Sequence, residues 1–267
     1  MVKILIFDTE TTGLPPLLPG STWDERQQLD ASLLTLKGVE GLWTQLVDAW
    51  PHIIQLSYIF YDTEDPTNAK IFNKYIELPD NVVITKSSTD IHHITRETIS
   101  NAPIENKATI QDVLTEFFDD VCKACVVVGH NVQFDRKMVV AELLRISSQY
   151  NLPQIQVMMD ESLFECTMIQ TTQMCNLKIK QNYRDKITGE AKFFYKIKSP
   201  KLSEAYIHFF GYEPVGDALH NALFDVVVCL RIFCKYKYKF DIYDTNTILT
   251  NYIKQFTPNE YWLQGKK

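Results

Sequence analysis

The order of apolar and polar positions predicts strands in the first part of the chain. Residues 2–8 are almost continuously apolar, which is typical of a central strand buried on both faces. Further strands are predicted around 53–61 and 70–78, joined by a polar stretch with the composition of a hairpin turn. The three valines at 126–128 predict a short buried strand, and a weaker strand is predicted around 155–159.

Helical spacing of apolar residues dominates the later part of the chain. The clearest helix is predicted over 104–121, where Ile110 begins an apolar stripe at i, i+3, i+4, i+7, i+8 and i+11. Further helices are predicted from near Asp135 to about 149, near 162–175, from Leu202 to Phe210, and over about 222–235. Strands first and strand–helix alternation later predict an α/β fold, with a mixed central sheet flanked by helices.

The same pattern predicts one main domain with two departures from regular structure. We expect a domain over residues 1–240 and a C-terminal extension over 241–267 that packs on it or trails it. Residues 15–50, rich in proline and tryptophan, are predicted to be a loop-rich insertion, because they are too long for a plain connection. Residues 178–201 form a basic arm, which carries eight Lys or Arg residues against two acids.

The net charge and its distribution along the chain give opposite indications about nucleic-acid binding. The formal net charge of −6 argues mildly against a non-specific nucleic-acid binder, since polyanion binding depends on basic surface. The basic arm could track a nucleic-acid backbone, although a run of charge is more often a solvated loop. We expect no membrane partner, because no apolar run approaches the ~20 residues of a membrane span.

The chain start and the cysteines predict a location inside the cell. The apolar run at the start ends at Asp8, before a signal-peptide core could form. We therefore expect a cytoplasmic protein, or a nuclear one in a eukaryotic host. Its six cysteines are expected to be reduced and to serve as buried hydrophobic residues.

Four carboxylates and one histidine carry the candidate chemistry. Asp8 and Glu10 lie two residues apart at the carboxyl end of the predicted central strand, so their side chains point to the same face. Asp135 follows the next buried strand, and His220 and Asp225 lie at the start of the last helix. Acids that converge repel each other unless divalent cations neutralise them, and oxygen-rich sites of this kind select Mg²⁺ or Mn²⁺.

Each of the three clusters also has a purely structural interpretation. The first two acids could simply end a strand, and Asp135 could stabilise a helix dipole. A histidine such as His220 is often only polar surface. On an ideal helix His220 and Asp225 would lie about 140° apart, so they cannot share a helical face. Asn221 could cap the helix and leave His220 in the loop before it.

In their order and contexts the clusters resemble the motifs of the DnaQ-like (DEDDh) 3′–5′ exonuclease family, over roughly residues 2–235. Asp-Thr-Glu-Thr-Thr-Gly-Leu from Asp8 is similar to the first motif, Gly-His-Asn-Val-Gln-Phe-Asp ending at Asp135 to the second, and His-Asn-Ala-Leu-Phe-Asp from His220 to the third. Ile-His-His-Ile-Thr places His93 where the family commonly has glycine. The long insertion is more typical of stand-alone exonuclease-domain proteins related to polymerase III epsilon than of compact proofreading subunits.

The resemblance implies a ribonuclease H-like fold and a metal-dependent 3′–5′ exonuclease. It would release nucleoside 5′-monophosphates from the 3′ end of DNA, mainly from single-stranded or frayed ends, by a two-metal-ion mechanism. Two divalent cations, Mg²⁺ or Mn²⁺, would be held by the four acids, with His220 as general base. The catalytic set is then Asp8, Glu10, Asp135, His220 and Asp225.

The substrate and its contacts are less closely fixed by the resemblance. The partner would be a nucleic acid with a free 3′ end, and the oligomeric state stays open. A 3′–5′ exoribonuclease is an alternative, because recognition of a 2′-OH has no short motif. An inactive nucleic-acid-binding scaffold is another, although all five residues are retained. The substrate contacts, each of which could instead be scaffold, are predicted to be Thr11, Leu14, Asn131 and Phe134.

Overall fold

The apolar run at the start of the chain forms β1 (Lys3–Thr11), an inner strand of a six-stranded sheet of order β4-β3-β2-β1-β5-β6. This computed structural model describes residues 2–15, 47–146, 152–184, 186–215 and 221–258. The other strands of the sheet are β2 (Ile53–Asp62), β3 (Lys70–Ile76), β4 (Lys107–Ala108), β5 (Val126–Gly129) and β6 (Phe164–Cys166). β1 pairs antiparallel with β2 and parallel with β5, so the predicted mixed central sheet is confirmed.

Helices cover both faces of this sheet. The α-helices of the described residues are α1 (Lys86–His92), α2 (Arg96–Asn101), α3 (Ile110–Val121), α4 (Val132–Ile146), α5 (Leu152–Met159), α6 (Thr167–Cys175), α7 (Leu202–Phe210), α8 (Ala222–Phe233) and α9 (Thr247–Gln255). A π-helical turn, Cys234–Tyr238, continues α8. No helix in these described ranges is long and apolar enough to cross a membrane.

Alternation along β1 divides the core into two layers. Leu5 and Phe7 face one layer, where the Phe7 ring packs 5.1 Å from that of Phe117 on α3. Ile4 and Ile6 face the other layer, which is built from α7, α8 and α9. The acids at positions 8 and 10 continue the second series, and β1 therefore turns them toward α8.

Of the two helices that flank β5 in the sequence, one begins later than predicted and the other begins near its predicted position. α3 begins at Ile110 rather than at 104, because the Thr109 side chain accepts a hydrogen bond from the backbone N–H of Asp112 and caps the helix there. α4 (Val132–Ile146) begins near Asp135 as predicted, and Asp135 lies within its first turn.

The predicted strand around 155–159 is wrong, because these residues form α5. Ile155 and Met158 are buried three residues apart while Gln156 between them is exposed, a helical period that a five-residue window does not reveal. The helix predicted near 162–175 is also shorter than expected. Strand β6 occupies its first part, and α6 starts at Thr167.

The basic arm and the C-terminal extension both contain regular structure. The basic arm forms an antiparallel hairpin of β7 (Lys178–Arg184) and β8 (Ala191–Ile197). Most of the insertion, residues 16–46, lies outside the described residues. In the C-terminal extension, α9 packs into the second core layer through the buried side chains of Leu249 and Ile253.

The expectation that all six cysteines are buried is wrong for three of them, since Cys175 is only half-buried and two others are exposed. Cys122 and Cys125 are exposed, because the first caps the end of α3 and the second lies in the turn that leads into β5. Cys166, Cys229 and Cys234 are buried, as expected for small hydrophobic side chains.

Candidate metal centre

Strand β1 and helix α8 bring three carboxylates together. Asp8 and Glu10 lie on the face of β1 that packs against α8, and Asp225 lies in the first turn of that helix. One carboxylate oxygen from each residue lies within 4.8 Å of the others. We call these three residues the acidic cluster. All three side chains are half-buried, so the cluster is open to solvent on one side.

The start of α8 determines where Asp225 lies. The Asn221 side chain caps the helix by accepting a hydrogen bond of 3.1 Å from the backbone N–H of Leu223, as its position in the sequence suggests. His220, which precedes this cap, lies outside the described residues. Its role therefore remains a prediction from the sequence.

Asp135 reaches the site from the opposite face of β1. It is buried in the first turn of α4, and its Oδ1 accepts hydrogen bonds from the backbone N–H of Thr9 at 3.0 Å and from the Thr9 hydroxyl at 2.7 Å. Thr9 lies between Asp8 and Glu10 along the strand. The two hydrogen bonds from Thr9 thus fix Asp135 beside the acidic cluster, because Thr9 lies between the two strand acids.

The surroundings oppose ionisation of these acids. Burial, and then repulsion from Asp135, Asp225 and Glu10, raises the pKa of Asp8 well above its usual range. Burial, followed by repulsion from Asp225 and Asp135, raises the pKa of Glu10 to about 8. Burial also raises the pKa of Asp135 to about 7, although the hydrogen bonds from Thr9 lower it in part.

These pKa shifts fit a site for divalent cations. At neutral pH the four acids cannot all be ionised by themselves, because each charge is poorly hydrated and repels the others. Bound cations would remove that penalty, and four carboxylates offer hard oxygen ligands of the kind that Mg²⁺ and Mn²⁺ prefer. Among the described residues, the acidic cluster is the group of side chains whose ligand atoms lie close enough together to hold a metal ion.

A polar network on β2 and β3, which was not predicted from the sequence, contacts the first turn of α8. Gln55 and Ser57 are fully buried on β2, and both donate hydrogen bonds of 2.8 Å to the side-chain oxygen of Asn73 on β3. The Gln55 side-chain oxygen accepts a hydrogen bond of 3.4 Å from the backbone N–H of Ala222, the first residue of α8. Polar residues at alternate positions of an otherwise apolar strand were the signal available in the sequence.

The turn after β1 is held in place from two sides. The Thr11 side chain is buried, and its hydroxyl donates a hydrogen bond of 2.7 Å to the carbonyl of Gly13. The backbone N–H of Thr12 donates to the carbonyl of His52 at 2.9 Å. Leu14 is 67% exposed at the end of the turn. Thr11 therefore shapes the turn, while Leu14 is open to contact with a ligand.

Buried His92 explains why the Ile-His-His-Ile-Thr segment lies near the site. Its Nδ1 accepts a hydrogen bond from the backbone N–H of Ile94 at 3.0 Å, so its Nε2 carries the proton and donates to the carbonyl of Thr11 at 3.1 Å. Burial lowers the pKa of His92 and so favours this neutral form. The next residue, His93, has a φ of 58°, which is the left-handed region that favours glycine at this position.

The loop between β5 and α4 carries the remaining predicted contacts. Asn131 is exposed and has a left-handed φ of 67°, while Phe134 is half-buried against the first core layer. His130 accepts a hydrogen bond from the Thr167 hydroxyl at 2.9 Å and donates one to the carbonyl of Pro200 at 3.1 Å. Burial lowers the pKa of His130 to about 4, so this residue is a neutral connector between loops.

Comparisons with known proteins agree with the sequence motifs. Residues 5–233 match the sequence model of the exonuclease family of the RNase T type. Among curated proteins, no sequence matches this chain.

Similar solved structures share little sequence with the chain. Cell-death related nuclease 4 (CRN-4) is 14% identical, over 90% of this chain and 65% of that protein, with a TM-score of 0.49. E. coli exonuclease I, in complex with a dT13 oligonucleotide, is 12% identical over 90% of this chain and 42% of its own, with a TM-score of 0.49. The nuclease domain of 3′hExo, a DEDDh family member bound to rAMP, is 13% identical over 90% and 94%, with a TM-score of 0.47.

The chain thus spans less than two thirds of the first two of these proteins. The family match, by contrast, extends over most of the chain and includes Asp8, Glu10, Asp135 and Asp225. The chain therefore belongs to the exonuclease family, in agreement with the motifs of its sequence.

Proposed function

We propose that this protein is a metal-dependent 3′–5′ exonuclease that removes nucleotides from the 3′ end of DNA, mainly from single-stranded or frayed ends, and releases nucleoside 5′-monophosphates. The observation that carries the proposal is the acidic cluster, whose three carboxylates approach within 4.8 Å of one another. Buried Asp135 adds a fourth carboxylate beside them.

Each acid has a distinct part in this proposal. Asp8, Glu10 and Asp225 would hold one divalent cation, and Asp8 and Asp135 would help to hold a second. When bound, the two cations supply the positive charge that activates a water molecule and stabilises the leaving 3′-oxygen. Since the pKa of Glu10 is about 8, cation binding requires that protons leave the site, and cation affinity should rise with pH.

His220 is proposed as the general base. In the sequence it immediately precedes Asn221, the cap of α8, and lies five positions before Asp225. In the proposed reaction His220 accepts the proton of the attacking water. It must be neutral to do so, which is the state of an ordinary histidine above pH ~6.5.

The terminal nucleotide is proposed to lie against the two loops beside the acidic cluster. Exposed Leu14 is available to pack on its base, and exposed Asn131 is available for hydrogen bonding. Half-buried Phe134 would form part of the pocket wall, and Thr11 would contribute by maintaining the turn through Gly13.

A panel of substrates tests this proposal. Single-stranded DNA, duplex DNA, duplexes with mismatched 3′ termini and single-stranded RNA are each incubated with Mg²⁺, Mn²⁺ or a chelator. We expect the fastest release of 5′-monophosphates from single-stranded DNA, and none in chelator. Faster digestion of RNA than of DNA would favour the exoribonuclease. The absence of hydrolysis with either cation would favour the inactive scaffold.

A further inference from the structure

β7 (Lys178–Arg184) and β8 (Ala191–Ile197) form a two-stranded ribbon outside the main sheet, and we call it the basic hairpin. All of β7 is exposed, and five of the seven residues of β8 are exposed. Side chains directly opposite each other in an antiparallel pair share a face. The register, in which Lys180 pairs with Tyr195 and Asn182 with Phe193, therefore assigns every residue to one of two faces.

The first face combines three cations with two exposed aromatic rings. Lys178, Lys180 and Arg184 of β7 share this face with Phe193 and Tyr195 of β8. The Phe193 and Tyr195 side chains are 54% and 64% exposed, and their ring centroids lie 5.9 Å apart. The Lys180 ammonium lies 4.0 Å from the centroid of the Phe193 ring. The paired residues of this face include no acid.

The second face is less suited to bind an extended strand. It carries Lys192 and Lys196 with the rings of Tyr183 and Phe194, whose centroids also lie 5.9 Å apart. These two rings belong to different strands, and each is 46% exposed. On the first face both rings lie on β8, two residues apart, and so follow the long axis of the ribbon.

Contacts at its base hold the basic hairpin near the acidic cluster. The backbone N–H of Lys198 donates to the carbonyl of Leu177 at 2.9 Å and closes the hairpin. Two residues later, the carbonyl of Pro200 accepts the hydrogen bond from His130. His130 follows the last residue of β5, the strand that runs parallel to β1 and next to it. Since parallel neighbours end at the same edge of a sheet, the hairpin starts beside the edge that carries Asp8.

We propose that the first face of the basic hairpin binds the single-stranded segment of nucleic acid on the 5′ side of the terminal nucleotide. Bases would stack on Phe193 and Tyr195, and phosphates would lie near the three cations, a combination that binds single strands with little sequence preference. This inference rests on the proposed function, because the strand held by the hairpin is the substrate of the acidic cluster. A protein partner is less favoured, since a face with only positive charges matches a polyanion.

Two charge-matched triple variants of the full chain test the inference. The first-face variant is Lys180→Gln with Phe193→Ala and Tyr195→Ala. The second-face variant is Lys196→Gln with Tyr183→Ala and Phe194→Ala. Each removes one positive charge and two rings from exposed positions, so circular dichroism and thermal unfolding should match those of the wild type. Binding is measured by fluorescence anisotropy in chelator, with labelled DNA and RNA strands of about 20 nucleotides and with labelled trinucleotides.

We expect the first-face variant to bind the long strands about tenfold more weakly than the wild type does. The ratio of its affinity for long strands to its affinity for trinucleotides should fall by the same factor, because trinucleotides are too short to reach the hairpin. The second-face variant should bind the long strands within about twofold of the wild type, since its rings are outside the proposed path. Equal losses in the two variants, or no loss in either, would overturn the inference. So would a changed oligomeric state of the first-face variant in light scattering with unchanged affinity.

The wild type's cleavage of the same strands with Mg²⁺ is measured separately. Its absence would count against the proposed function. The difference in affinity between the variants, which needs no hydrolysis, would still decide whether the hairpin binds the strand.

Discussion

Glu10 illustrates how the surroundings of one residue connect protonation to stability. Its pKa is raised to about 8 by burial and by repulsion from Asp225 and Asp135. In the unfolded chain it would titrate near its usual value of ~4.3. An acid whose pKa is raised on folding stabilises the folded state below the unfolded pKa, and that contribution is lost as the pH rises through the folded pKa.

We therefore expect Glu10→Gln to become progressively more stable than the wild type as the pH rises from about 4.5 to 8 in chelator. The difference should reach several degrees in melting temperature, measured by thermal unfolding of both proteins. Saturating Mg²⁺ or Mn²⁺ should abolish or reverse this difference in melting temperature, because only the wild type has the Glu10 carboxylate to bind the cation. A difference that stays constant with pH would contradict the raised pKa of Glu10.

Replacement of Asp225 separates catalysis from folding. Asp225→Asn keeps the size of the side chain but removes one charge from the acidic cluster, so we expect a stable protein. Activity should fall by at least about 100-fold, since changes around metal ligands alone cost about 10–100-fold. Initial rates with saturating Mg²⁺ measure the loss. Near-normal rates would exclude Asp225 as a ligand.

Protonation of His220 should determine how the rate falls on the acid side of the pH–rate profile. As the pH falls through ~6.5 the histidine gains a proton and can no longer act as a base, so the rate should fall. His220→Gln should be slow at every pH and should lack this acid limb. The profile is recorded with single turnovers at saturating cation. A wild-type rate that stays level from neutral to mildly acidic pH would remove His220 from this role.

Sequence reasoning at the scale of residues succeeded where geometry is periodic. Strand alternation placed Asp8 and Glu10 on one face. The separation of His220 from the helical face of Asp225 stays a prediction, because His220 lies outside the described residues. Gln55 escaped notice, since nothing local to β2 indicates that its partner is the first backbone N–H of α8, 167 positions away. Long-range polar contacts of this kind depend on the assembled fold.

At the scale of elements, His130 connects three parts of the fold. It follows β5, accepts from Thr167 at the start of α6, and donates to Pro200 at the base of the basic hairpin. Burial lowers its pKa to about 4, so the folded state resists its protonation. Its contribution to stability is present above the unfolded pKa of ~6.5 and is lost as the pH falls toward 4.

His130→Ala should accordingly destabilise the protein by about 1–3 kcal/mol at pH 7, because buried partners lose their hydrogen bonds. The loss should shrink at pH 5, where the wild type is itself weakened. Denaturant unfolding at both pH values measures it, with His208→Ala on the exposed side of α7 as the control. A loss that does not depend on pH would contradict the neutral, buried state of His130.

Most elements that were predicted correctly have a clear apolar pattern. β1, β2 and α8 carry long apolar runs, and β5 was predicted from three consecutive valines. α5 has only eight residues, and β6 has three, so periodicity over these lengths cannot separate a strand from a helix. The basic hairpin was predicted only as a charged arm, because its strands have no buried face and therefore no alternation of apolar and polar residues.

At the scale of the whole molecule, β1 serves both core layers and the acidic cluster. Its odd positions pack on α3 and α4, and its even positions lead from the second layer to Asp8 and Glu10. The C-terminal extension belongs to this second layer, where Leu249, Ile253 and Phe256 are fully buried. Their spacing of i, i+4 and i+7 was present in the sequence, but the polar residues between them obscured it.

The proposed function requires that cations bound at the acidic cluster drive hydrolysis from the 3′ end. The most direct test is the digestion of one single-stranded DNA labelled at its 3′ terminus, compared with the same strand carrying a blocked 3′ end, with Mg²⁺ and with chelator. We predict that labelled 5′-mononucleotide is the first product with Mg²⁺, and that neither the blocked strand nor the chelated reaction yields product. Release of nucleotides from the blocked strand, or undiminished cleavage in chelator or by Asp8→Asn, would contradict the account.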